Sequence, residues 1–75
     1  MSKLSDIDIN STVIVKQLLT DGYIRERMLA LGLTDGALVH VIRKGPKNNL
    51  TVYDIRGAKI ALRKEEGDNI IVSRI

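Results

Sequence analysis

The stretch Tyr23 to Gly36, YIRERMLALGLTDG, constrains this chain more than any other. It is the one window with helical apolar spacing in a sequence that otherwise reads as short strands and turns. Steps of three and four residues set Ile24, Met28 and Leu31 on one side and turn Arg25 and Glu26 toward water. Such a stripe needs a sheet to cover. The ends of the helix are also legible: Asp21 is placed to cap the first turn, and Gly22 eases the bend into it. Gly32 supplies the positive-φ residue on which helices commonly end, and Leu33 the apolar contact that folds back over the last turn. Thr34, Asp35 and Gly36 then make a turn.

A chain of 75 residues predicts a single domain spanning 1–75, large enough for a small core but near the lower limit of independent stability. With no Cys there is neither a disulfide nor a thiolate metal site, and with no Phe or Trp the core must come from Ile, Leu, Val and Met. The first ten residues, MSKLSDIDIN, mix acids with apolar residues, so neither a signal peptide nor a membrane span is expected, and the predicted location is the cytoplasm. The net charge of +3 is modest, and acids alternate with Lys44, Lys47, Arg56 and Arg63. With few aromatic residues to stack on bases, these read first as a solvated face with no nucleic-acid partner expected, and a barrel that binds nucleic acid through them is the lesser alternative.

Around the helix the pattern is of period two. Thr12–Leu18 (TVIVKQL), Ala37–Lys44 (ALVHVIRK), Leu50–Arg56 (LTVYDIR), Lys59–Arg63 and the apolar C-terminal run Ile70–Ile75 predict five strands. Ahead of them, Leu4, Ile7 and Ile9 are expected to close one end of the core. Gly45–Asn49, with Pro46 and two asparagines, is a hairpin loop, and Gly57 with Ala58 is too short for a crossover, so the strands it joins run antiparallel. Lys64–Gly67 forms one polar helical turn. The predicted fold is all-β with one short helix: about five antiparallel strands curled into a small, partly open barrel, with the helix over one opening.

No catalytic constellation emerges. The single His40 has no second histidine or cysteine to share a metal, and reads as a strand residue at a partly covered surface. Tyr53 reads as strand packing in preference to ligand stacking. Glu65 and Glu66 are adjacent and project apart, and no lysine-containing phosphate loop follows Gly32 and Gly36. Asp21, Asp35, Asp54 and Asp68 sit near turns or strand ends. The chain is therefore expected not to be an enzyme, with no catalytic residue, cofactor or metal ligand assigned.

Two segments carry a family resemblance. Arg25-Glu26-Arg27-Met28-Leu29-Ala30-Leu31-Gly32-Leu33-Thr34-Asp35-Gly36 looks like the signature of the ferrous iron transport protein A family, FeoA, and Ile55-Arg56-Gly57-Ala58-Lys59-Ile60-Ala61-Leu62-Arg63-Lys64-Glu65-Glu66 resembles that family's second motif. The chain departs from the usual pattern in Gly45–Asn49, at Asp35 and at Gly67. The resemblance implies an SH3-like barrel and a small cytoplasmic accessory or regulatory protein of bacterial ferrous iron uptake, with transition-metal binding as a family-level expectation. Its implied partner is the permease FeoB, with membrane association only through that permease. A similar domain closes iron-dependent repressors, so a free-standing peptide-binding regulatory module is the alternative, and self-association through a sheet edge is compatible with either. On this reading Ile24, Met28, Leu31, Gly32 and Gly36 build the lid over the barrel, while Arg25, Arg27, Leu29, Leu33 and Thr34 face a partner. Leu29 has the competing reading of completing the core. Arg56, Lys59 and Arg63 form a charged rim.

Overall fold

Six strands form one antiparallel sheet in the computed structural model, which describes residues 1–75. In chain order the elements are β1 (Ser2–Lys3), β2 (Thr12–Leu18), α1 (Gly22–Ala30), β3 (Leu38–Lys44), β4 (Leu50–Ile55), β5 (Ala58–Arg63), α2 (Lys64–Gly67) and β6 (Ile70–Arg74). Single 3-10 turns at Leu4–Asp6 and Pro46–Asn48 complete them. The spatial order is β1-β6-β2-β3-β4-β5, so β1 and β5 are free edges and the sheet stays open. The expected count of five strands rises to six because Ser2 and Lys3 pair with Val72 and Ile71. That pairing also encloses β6, whose apolar alternation places Ile70 and Val72 in the core.

The period-two pattern resolves into faces. Val13 and Val15 point inward from β2, Val39 and Val41 from β3, and Thr51, Tyr53 and Ile55 from β4. Strict alternation would carry Arg43 into the core after Val41. A bulge between Val41 and Arg43 breaks the register and leaves the charge outside. Tyr53 is fully buried, and that burial raises its hydroxyl pKa above the ordinary value. The β4–β5 connection is a two-residue turn with φ of 52° at Arg56 and 88° at Gly57, the handedness that matches strand twist, and the Asp54 carboxylate accepts the Gly57 N–H at 3.0 Å.

The helix differs most from expectation. Within α1 only Met28 is buried; Ile24 is 44% exposed and Leu31, just beyond the helix, is partly buried. Ile24 is thus not among the side chains that cover the core, against the role expected of it. A helix of nine residues that docks by one face over a curved sheet sinks deepest in its C-terminal half, where Met28, its seventh residue, alone is fully buried. Asp21 holds the extended conformation of a cap residue, yet its side chain makes no cap bond. The C-terminal end follows the expected Schellman geometry: the Gly32 N–H donates to Leu29 O at 3.0 Å, and the Leu33 N–H to Met28 O at 3.1 Å, with Gly32 at φ 98°.

The N-terminal segment closes the core with Leu4 and Ile7, while Ile9 stays 46% exposed, outside the role expected of it. Its 3-10 turn packs on α2, where Gly67 lies so close that a Cβ would sit 3.2 Å from the Cβ and N of Ser5. The Ser5 hydroxyl bonds the Asp68 carboxylate. Glycine at 67 therefore eases the close packing of α2 on this turn, where an added Cβ would press on Ser5, a cause independent of any loop-borne role.

Candidate docking surface

Residues after α1 are held against the β4–β5 turn by one side chain. Arg56 Nε donates to Gly32 O at 3.2 Å and its Nη2 to Thr34 Oγ1 at 2.7 Å. The aliphatic stem of Arg56 lies over Gly32, where a Cβ would come within 2.9 Å of Arg56 Cδ and 3.4 Å of Ile55 Cγ2. Arg56 and Thr34, assigned by sequence to separate groups, are brought together here, with two of the Arg56 N–H donors engaged by the segment after α1.

A second polar contact ties the middle of α1 to α2. Arg27 Nη1 donates to Glu66 Oε2 at 2.5 Å, and Glu66 Oε1 accepts the Arg63 N–H at 2.8 Å. Burial by itself would lift the Glu66 carboxyl. The Arg63 N–H and the Arg27 guanidinium outweigh it and hold the group below its ordinary value. The same ion pair, first through its hydrogen bond and then through its charge, raises Arg27. Asp68 is lowered by its bonds from Ser5 and then Lys64.

Of the residues expected to face a partner, Arg25 is exposed and Leu29 partly buried. Together with Lys16, Gln17 and Asp35 they border a cleft of about 310 Å³ between α1 and β2. Leu33, also on that cleft's wall, is 0% exposed, so it is core and not a contact side chain. The fold-back that closes the Schellman motif carries it inside. Lys59 and Arg63 are exposed on β5 and make no ion pair. Gly36, at φ 87° with open space where a Cβ would stand, serves the turn into β3. Sequence reasoning missed Tyr23, 80% exposed beside Ile24, because helical spacing alone does not reveal how far a helix sinks into its sheet.

A wider cleft of about 460 Å³ opens on the other side of Arg56, bordered by Thr12, Leu38, His40 and Asp54. Thr12, His40 and Asp54 are successive cross-strand partners on β2, β3 and β4. The Thr12 hydroxyl bonds His40 Nδ1 at 2.8 Å. The imidazole is thereby oriented by a hydroxyl, and its neighbouring carboxylate is engaged by Gly57. No cluster of three or more His, Cys, Asp or Glu is placed to hold a metal ion, and no helix is long and apolar enough to cross a membrane.

Comparison with solved structures extends the likeness over nearly the whole chain. The iron(II) transport protein A of Clostridium thermocellum is 27% identical, with a TM-score of 0.93 over 97% of this chain and 45% of its own, so this chain spans about half of that relative. The zinc-complexed FeoA of Stenotrophomonas maltophilia, described as a prokaryotic SH3 domain protein, is 22% identical with a TM-score of 0.85, covering 97% of this chain and 91% of that one. A manganese-dependent transcriptional repressor shares the fold over 97% of this chain and 41% of its own length, at 15% identity and a TM-score of 0.86. No curated protein matches the sequence. The open six-stranded sheet with its helix between the second and third strands accordingly has an SH3-like architecture. Residues 2–74, from the first strand to the last, match the FeoA domain, and the chain belongs to that family.

Proposed function

We propose that this protein is a cytoplasmic accessory of bacterial ferrous iron uptake that docks on the cytoplasmic part of the permease FeoB and regulates it. The observation that carries the reading is the FeoA domain match over residues 2–74. FeoA domains are accessory and regulatory modules, not enzymes, and the relatives named for iron(II) transport and for FeoA share the fold across this chain. The docking face is the outward side of α1 and the segment after it. There Leu29 offers a half-covered apolar group between Arg25 and the Arg56-clamped Thr34. Lys59 and Arg63, free of ion pairs, add a charged rim that speeds encounter.

The test is recovery of FeoB from membranes in mild detergent by the intact protein and by its Leu29→Ala variant, each first shown to be folded by circular dichroism. Recovery by the first and about tenfold less by the second joins partner to face, as expected for loss of an interface anchor. If neither folded protein recovers FeoB, direct docking is overturned. Equal recovery by both moves the contact off Leu29.

A further inference from the structure

Several weaknesses coincide in α1. Its nine residues bury one side chain completely, Met28, and a helix of that length owes its stability to packing rather than to its own hydrogen bonds. Asp21 makes no side-chain cap bond, and the Thr20 hydroxyl, next to it, is buried with no partner. The closed position therefore leaves a polar group unsatisfied at the root of the helix.

Apart from Met28 and the half-covered Leu29, what holds the helix down is polar and peripheral. Arg27 reaches Glu66 on α2, and Arg56 reaches Gly32 O and Thr34 beyond the last turn. Both contacts lie at the surface, where such pairs are weak. At the two ends of α1 stand Gly22, at φ 58°, and Gly32, at φ 98°. Outside these, Leu18 and Leu33 are both buried and anchor the segment in the core.

We propose that α1 is a hinged lid, shut by the Arg27–Glu66 and Arg56–Gly32 clasps, which detaches from the sheet between the Leu18 and Leu33 anchors while the six strands stay paired. Opening uncovers Met28 and the inner side of the sheet near Ile55, an apolar surface that the closed state hides. The two glycines absorb the backbone rotation, as residues at element ends do in hinge motions. The inference stands apart from the permease reading, since it concerns the free protein.

The absence of cysteine makes the experiment clean. Single Met28→Cys and Val41→Cys variants are labelled with a small thiol reagent across a series of urea concentrations below the unfolding midpoint. Both sites are buried, so each labels only on opening. Met28→Cys is expected to react at least about tenfold faster than Val41→Cys, with a rate nearly flat in urea, because sub-global opening exposes little surface. Val41→Cys should follow the steep urea dependence of global unfolding. Adding Arg27→Gln to Met28→Cys should speed labelling of its thiol about threefold. Equal rates with the same urea slope at both sites would overturn the lid, and an unchanged rate with Arg27→Gln would overturn its clasp. Hydrogen exchange of the unsubstituted protein guards against an effect of the introduced thiol itself: α1 amides must exchange faster, and with a shallower urea slope, than those of β3 and β4.

Discussion

Gly32 carries three demands at one Cα. It closes the Schellman motif at φ 98°, its carbonyl accepts from Arg56, and the space where a side chain would start is taken by the Arg56 stem. Gly36 shares the positive φ, at 87°, but has open space. Gly36→Ala should therefore cost only the left-handed strain of a Cβ, about 1 kcal/mol, whereas Gly32→Ala should cost more, about 2–3 kcal/mol. Urea denaturation checks both. In an Arg56→Ala background the cost of Gly32→Ala should shrink, because the clash leaves with the arginine and the two sites are coupled. The need for glycine at 32 was legible from its place after LAL. The tenant of the space beside it was not, since Arg56 lies 24 residues away.

At the scale of elements, helix and sheet contribute unequally. The strands supply the inward rows, and α1 adds Met28 as its one fully buried residue, with Leu29 packed against the core from its margin. Met28→Ala should destabilise by about 2–5 kcal/mol, as large-to-small core changes do, while Ile24→Ala should cost less than about 1 kcal/mol because that side chain is already half in water. Comparable losses at the two sites, read from urea midpoints, would restore Ile24 to the core. Period three-to-four spacing correctly located the helix and picked Met28, but it could not tell Ile24 from Met28. Depth in the sheet depends on where the helix axis lies, which the anchors Leu18 and Leu33 settle from outside the helix. In the strands the bulge after Val41 decided which face Arg43 takes, and alternation alone has no sign for a bulge.

For the whole molecule, the carboxylates that join distant elements set the response to acid. Glu66 links α2 to α1 and to the end of β5, and Asp68 links the C-terminal end of α2 to Ser5 in the N-terminal turn. Both folded-state values lie below the ordinary 4.5 and 3.8. Across that range the unfolded chain binds more protons than the folded one, so stability rises with pH there. The contribution is complete above the ordinary values and is lost as pH falls through the depressed ones. The urea midpoint should decline below about pH 4.5, and Glu66→Gln with Asp68→Asn should flatten that decline. An acid limb of unchanged slope in the double variant would assign it to other groups.

Local chemistry by itself determined that this chain makes short antiparallel strands around one helix, where the helix ends, which loops turn back, and that no catalytic or metal-binding cluster is spelled out. Those properties depend on neighbours a few residues apart. Only the tertiary structure decided that Ser2 and Lys3 complete a sixth strand, that Leu33 is core and Ile24 is surface, that Arg27 ties α1 to α2, and that Arg56 ties the segment after α1 to the β4–β5 turn. Each of these rests on segments far apart in the chain, whose meeting is set by the curvature and register of the sheet. The helix identified from YIRERMLALGLTDG is therefore a feature of the sequence, and how lightly it is held is a feature of the fold.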